Sequence, residues 1–240
     1  MAERYNIVAV IPVLGRLTLL PYTIERLLKK NGVVKVICVG KDEREKTVSE
    51  LAGAKFLYHD NEPLGKKWNH GFQWAREFSP EAVLFAGSSD WVSDNWLAHM
   101  MQYREYDLIG KPDFNLLDIG PLNKLRMCHW AGYEGERKGE SIGIGRVISA
   151  RILDKMNWKP FNDAKHNCMD SQMQEKVIAR GGKLKLVTSE EIDSLSLSTY
   201  KWTNKHVFNE HWMNILPSTH IQNPRTWLRT RFPEALNMKL

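Results

Sequence analysis

The run Val83-Leu84-Phe85-Ala86-Gly87-Ser88-Ser89-Asp90-Trp91 takes four apolar or small residues straight into a small, polar, acidic turn. It reads as a buried strand whose C-terminal end presents one carboxylate and two hydroxyls. In open α/β sheets the ligand site lies off such strand ends. A hard divalent cation bridging phosphates takes oxygen ligands there, which makes Asp90 a candidate metal ligand and Ser88 and Ser89 its polar neighbours. Three more stretches carry chemistry. The turn Pro12-Val13-Leu14-Gly15-Arg16 follows an apolar run, as either a nucleotide contact or a plain strand-to-helix turn. Gly40-Lys41-Asp42 follows a second apolar run and offers a carboxylate for ribose hydroxyls or a base edge, although acidic helix starts are common. Asn61-Glu62-Pro63-Leu64-Gly65-Lys66-Lys67-Trp68-Asn69-His70-Gly71 puts two lysines near a helix start, where they can face a diphosphate. Asn69 adds the paired donor and acceptor that a base edge requires.

The elements that would position these residues follow from hydrophobic spacing. Residues 6–13 form a central strand. Leu17 to Lys30 has helical spacing and stops at Asn31-Gly32. Val33 to Val39 is a second strand, 43–52 a helix, Lys55 to Tyr58 a short strand, Trp68 to Phe78 a helix, and 82–86 the strand that leads to Asp90. Strand and helix alternating at this spacing predict a right-handed, parallel wound sheet. Residues 106–150 hold short strand-like pieces (Tyr106 to Ile109, Lys124 to Trp130, Val147 to Ile148) and glycine-rich turns. Ala164 to Ala179 is a helix ended by Gly181-Gly182, Lys183 to Val187 a strand, and from Lys205 helical fragments are broken by Pro217, Pro224 and Pro233. There is no internal repeat or low-complexity linker.

Bulk composition bounds the partners. The 240 residues are 42% hydrophobic and 26% charged, enough for a sizeable core. A net charge of +6 suits a phosphate-bearing ligand as well as plain solubility, and no block of like charge marks a nucleic-acid surface. Cys38, Cys128 and Cys168 are far apart and odd in number, which argues against a zinc site or disulfide framework and points to a reducing, cytoplasmic compartment. The apolar run Ile7 to Leu14 is too short to span a bilayer. Gly143-Ile144-Gly145-Arg146-Val147-Ile148-Ser149 imitates part of a dinucleotide fingerprint but lacks the third glycine and a preceding strand.

Taken in order, Val10-Ile11-Pro12, Asp42, Asn69-His70-Gly71 and Ser88-Ser89-Asp90 resemble the family 2 glycosyltransferases of the GT-A fold. The resemblance covers about residues 5–190. It implies an α/β fold with a wound, mostly parallel central sheet flanked by helices, in one domain over 1–240. About 1–105 would bind a nucleotide-diphospho-sugar, about 106–190 would bind the acceptor, and about 191–240 would form a helical tail on the site. It implies inverting, metal-dependent transfer (Mn2+ or Mg2+), with a UDP-sugar favoured as donor and a hydroxyl acceptor such as a glycan; a modified DNA base as acceptor has only the net charge in its favour. Donor contacts would be Pro12, Val13, Gly15, Arg16, Asp42, Lys66, Asn69, Ser88, Ser89 and Asp90. Asn167-Cys168-Met169-Asp170 falls where the family places its catalytic carboxylate, so Asp170 would be the base, with helix capping as the bland alternative and His166 and Asp163 as substitutes. The acceptor side would hold Trp91, Trp130, Gly145 and Arg146; Trp91 is either a floor under the sugar or core. The second acid usual beside Asp90 is Ser89 here, and His220, in competition with His206 and His211, would supply an extra metal contact. A sugar-phosphate nucleotidyltransferase, suggested by Gly15-Arg16-Leu17-Thr18, and a non-catalytic nucleic-acid-binding protein are the rival readings.

Overall fold

Ile7, Ala9 and Ile11 bury on one side of the first strand, and Val8 and Val10 on the other. A strand that is apolar on both faces must lie inside a sheet covered by helices on each side, and that is the arrangement found. The computed structural model describes residues 5–120, 124–166, 169–199 and 218–238. Asn167, Cys168, His206, His211 and the stretch from Lys205 to Pro217 lie outside the described residues.

Strands β1 (Ile7–Pro12), β2 (Val33–Gly40), β3 (Lys55–Tyr58), β4 (Ala82–Phe85), β6 (Leu108–Lys111), β9 (Ile142–Ser149) and β10 (Leu184–Leu186) form a seven-stranded sheet of order β10-β6-β9-β4-β1-β2-β3. Its pairings are parallel except those of β9, which runs antiparallel to both β4 and β6. Helix α1 (Leu20–Leu28) packs Leu20, Ile24 and Leu27 on the Ile7 face, where α4 (Trp96–Met100) adds Trp96 and Met100. The Val8 face is covered by α3 (Leu64–Ala75), α5 (Ala150–Lys155) and α6 (Met169–Ala179) through Phe72, Ile152, Leu153, Met173 and Val177. Burying each such side chain stabilises the fold by about 1.5–3 kcal/mol. Gly71 of α3 lies so close to the sheet that a Cβ there would sit 2.7 Å from Val10 and 2.8 Å from Val39. Helix α2 (Glu43–Leu51) follows β2.

A second sheet, order β12-β8-β7-β11-β5, is built from β5 (Asp90–Val92), β7 (Phe114–Ile119), β8 (Leu125–Trp130), β11 (Ser194–Thr199) and β12 (Ser218–His220). One face packs Leu195, Leu117 and Met127 against Leu228 of helix α7 (Pro224–Arg231) and the following Phe232.

The wound, mostly parallel sheet expected from the sequence is present. Three local expectations change. The helix expected from Trp68 begins at Leu64, immediately after Pro63, so Lys66 and Lys67 lie inside it. The helix expected over Ala164 to Ala179 is Met169–Ala179, with Ala164 to His166 in loop. The stretch at 143–149, expected as a glycine-rich turn with only Val147 to Ile148 strand-like, is part of strand β9, and α5 starts directly after it at Ala150.

Candidate functional site

Because β1, β2 and β4 are parallel, their C-terminal ends share one sheet edge, and the turns that follow them meet there. The turn after β1 is tied down from below. Val13 is buried and its N–H donates to Val39 O at 2.7 Å. Lys67 Nζ donates to Val13 O and to Asn61 Oδ1. Glu45, also buried, accepts from Gly15 N at 3.2 Å and from Lys41 N at 2.7 Å, which joins the β1 and β2 turns through one carboxylate. Burial pulls the Lys67 ammonium down to about 8, against the attraction of Glu45.

Sequence reasoning singled out Lys66 and Asp42 here, but the interior of the corner is built by Lys67 and Glu45. Lys66 is exposed on α3. Asp42 is the N-cap of α2, accepting from Glu45 N at 2.9 Å, so one oxygen of the expected ribose ligand is used by the helix. Asn69 requires a correction. Its Oδ1 accepts from Phe161 N at 3.0 Å, and its Nδ2 donates to Phe161 O at 2.9 Å and to Asp163 Oδ1 at 2.8 Å. Both ends of the amide hold the 161–163 loop, and the residue is buried, so it presents no base-reading edge.

The turn after β4 brings Ser88, Ser89 and Asp90 to the same edge. Asp90 Oδ2 accepts from Gly87 N at 2.8 Å, and Oδ1 accepts from Ser196 Oγ at 3.1 Å. Burial pushes the Asp90 carboxyl above the usual range, opposed by the Gly87 N–H, the charge of Arg16 and the Ser196 hydroxyl. Arg16 reaches across from the β1 turn. It is 7% exposed, its Nη1 donates to Ser89 Oγ, and burial lowers its basicity against the attraction of Asp90. Ser88 and Ser89 are both buried, and Ser88 O accepts from Thr23 Oγ1 at 3.2 Å.

On the acceptor side, Arg146 of β9 is fully buried. Its Nη2 donates to Ser141 O and, at 2.9 Å, to Asp170 Oδ1 in the first turn of α6. Its guanidinium lies 5.5 Å from the Phe85 ring centroid, which joins Asp170 to the end of β4. Asp170 keeps 29% side-chain exposure. Tyr133 lies nearby: burial, then the negative charge of Asp170, raises its hydroxyl above the ordinary value.

The structure reassigns three residues expected to face the acceptor. Trp91 is 2% exposed and packs against Phe232 and beneath Arg26, so it is core. Gly145 has φ +66°, its carbonyl accepts from Trp96 Nε1 at 2.9 Å, and a Cβ there would lie 2.4 Å from the indole. It makes room for Trp96. Trp130 is buried edge-to-face against Phe114 and Tyr133. Of the substitutes for Asp170, His166 is exposed in the loop before α6, and the carboxylate of Asp163 is engaged by Asn69.

His220 cannot assist Asp90. The register runs Asp90, Ser196, Leu116, Cys128, His220 in one line across the second sheet, from one edge strand to the other. Four strand spacings separate them by roughly 19 Å. His220 instead lines a separate pocket of about 300 Å³ with Arg126, Met127 and Pro224.

A divalent cation takes six or more oxygen ligands; a Ca2+ site draws most of them from the chain, whereas Mg2+ keeps waters and is held by one or two carboxylates plus substrate phosphates. Among the described residues, no three His, Cys, Asp or Glu side chains converge on one point. Asp90 stands alone, both of its oxygens already accept hydrogen bonds, and a buried guanidinium acts on the same carboxylate. This donor set does not fit a cation held by the chain alone.

No family model matches the chain, and no curated protein matches it. Solved structures do. A mannosyltransferase from Pyrobaculum calidifontis, in complex with GDP-Man and Mn2+, superposes with TM-score 0.56 at 10% identity over 82% of this chain and 57% of that one. GalNAc-T7 with UDP, GalNAc and Mn2+ gives TM-score 0.60 at 12% identity over 90% of this chain and 48% of that one. Residues 1–349 of S. aureus TarS in complex with UDP give 0.51 at 12% identity over 80% and 60%. The chain therefore spans about half to three-fifths of the length of these structures. Its fold is GT-A-type, that of nucleotide-sugar glycosyltransferases. Among the described residues no helix is long and apolar enough to cross a membrane.

Proposed function

We propose that this chain transfers a glycosyl group from a nucleotide-diphospho-sugar, with a UDP-sugar as the favoured donor, to a hydroxyl-bearing acceptor with inversion. The observation that carries the reading is two charged pairs beside β4: Arg16 with Asp90, coupled by charge while Arg16 Nη1 donates to Ser89 Oγ in the turn that follows the strand, and the Arg146–Asp170 ion pair next to Phe85 at its end. The first pair lies at the sheet edge where α/β folds bind nucleotides. The second is on the acceptor side, linked to β4 through Phe85.

The diphosphate lies against the turns after β1 and β4, and the sugar projects toward β9. Asp170 is the base. Arg146 holds its Oδ1, which leaves Oδ2 for the acceptor hydroxyl. As that hydroxyl oxygen bonds to the anomeric carbon, the bond from that carbon to the diphosphate oxygen breaks and the proton passes to Asp170. Attack from the face opposite the leaving group inverts the centre, and holding the hydroxyl in line supplies much of the acceleration.

The test is the Asp170→Asn variant, with nucleotide-sugar turnover measured on glycan and nucleic-acid acceptors and UDP affinity measured by calorimetry. Transfer is expected to fall by roughly 100-fold or more, as loss of a general base does, with UDP affinity retained. Near-normal turnover removes Asp170 from the mechanism. Release of pyrophosphate from a nucleoside triphosphate and a sugar 1-phosphate identifies a nucleotidyltransferase instead.

A further inference from the structure

We infer that Arg16 takes the place of a divalent cation, so that this chain binds the donor diphosphate without metal. The inference rests on the transferase reading above and departs from the two Mn2+-bound structures that share the fold. Four observations lead to it. The position beside Asp90 that would supply a second metal-binding acid is Ser89, and its hydroxyl accepts from Arg16 Nη1. The Asp90 carboxylate accepts from the Gly87 N–H and the Ser196 hydroxyl, and the positive charge of Arg16 acts on it from the neighbouring turn. A dication at Asp90 would lie beside a like charge that is already buried there. The backbone is shaped to aim the guanidinium inward: Gly15 at φ +64° and Arg16 at φ +53° are both left-handed, a conformation that side-chain-bearing residues rarely adopt. The turn is also braced from beneath, by Lys67 on Val13 O and Glu45 on Gly15 N.

The chemistry suits the leaving group. A guanidinium presents a planar fork of N–H donors that matches two phosphate oxygens and stays charged throughout the working pH range. Charge developing on the departing nucleoside diphosphate is met by a donor already in place and shielded from water, which is what electrostatic preorganisation requires. Ser89 becomes a positioning residue, its hydroxyl holding Arg16 Nη1 with the negative charge of Asp90 nearby, and no cation need be bound.

The experiment uses the full chain, with UDP, GDP and inorganic pyrophosphate as probes, in EDTA and again in Mn2+. Melting temperature and calorimetric affinity are the readouts. UDP is expected to bind equally in EDTA and in Mn2+, and this comparison needs no variant. Arg16→Gln is expected to weaken UDP binding in EDTA by roughly tenfold or more, the loss typical of a charge-assisted contact. Because that variant removes the positive charge that acts on Asp90, Mn2+ should now restore part of the affinity, an effect that misfolding would not produce. UDP binding by the wild type only in Mn2+ overturns the inference and leaves the transferase reading standing. Unchanged affinity of Arg16→Gln in EDTA also overturns it. Failure of all three probes to bind in either condition overturns both.

Discussion

Replacing Lys67 by Met tests how the floor of the site is built. The ammonium is fully buried between Val13 O and Asn61 Oδ1, and burial lowers its pKa from 10.5 to about 8. At about 1.4 kcal/mol for each pH unit, keeping this group protonated in the native state costs about 3 kcal/mol. The sign follows from proton linkage. From about pH 8 to about 10.5 the unfolded chain holds the Lys67 proton and the native chain does not, so native stability rises with pH across that window. Below about pH 8 the full cost is present.

Lys67→Met removes this cost but leaves Val13 O and Asn61 Oδ1 without their donor, at about 1–3 kcal/mol each. Near pH ~7 the two effects largely offset. By about pH 10 the wild type has shed some 2 kcal/mol of its penalty, so the variant is expected to lose about 2 kcal/mol relative to it between these pH values. Urea unfolding of both proteins across this range, followed by tryptophan fluorescence, gives the difference directly. Other titrating groups are common to both chains and cancel. A stability difference that stays constant with pH would refute the reasoning, because it would mean that Lys67 does not titrate within the window set by its burial.

Two further outcomes bear on reassigned residues. Gly145→Ala is expected to destabilise the fold by about 2–4 kcal/mol in the same unfolding assay, since its Cβ would meet Trp96 at 2.4 Å on a backbone with φ +66°; an unchanged midpoint would return Gly145 to the list of acceptor contacts. His220→Ala is expected to leave UDP affinity unchanged in EDTA and in Mn2+, because four strand spacings, roughly 19 Å, separate it from Asp90; a loss of affinity by calorimetry in either condition would place the histidine in the site.

The sheet that carries the site was legible because its strands are defined by local pattern. Val8 and Val10 alternate with Ile7, Ala9 and Ile11, and turns after β1, β2 and β4 follow apolar runs that any reading finds. The buried lysine was within reach as well. Lys67, Gly71 and Ala75 are four residues apart on α3, and a stripe ending in two small residues faces the sheet, so the stripe predicts that Lys67 points inward and Lys66 outward. What stayed hidden depends on contacts distant in sequence. Ser196 meets Asp90 across 106 positions, and Trp96 occupies the space over Gly145 across 49. The separation of His220 from Asp90 is set by the order of five strands drawn from both halves of the chain. No window along the sequence contains that information.

If the donor binds without metal, as proposed, Arg16 and Arg146 are the cations that balance the two acids. Arg146 is wholly buried and Arg16 nearly so. A buried guanidinium is stable only with an ionised partner close by, because removing one member of such a pair leaves an uncompensated charge costing about 3–5 kcal/mol. Asp170 is paired with Arg146 at 2.9 Å, and the charge of Arg16 opposes the upward push that burial gives the Asp90 carboxyl. On the proposed reading an incoming diphosphate would engage Arg16 while Asp170 keeps its 2.9 Å contact with Arg146, so the donor would exchange without disturbing the proposed base.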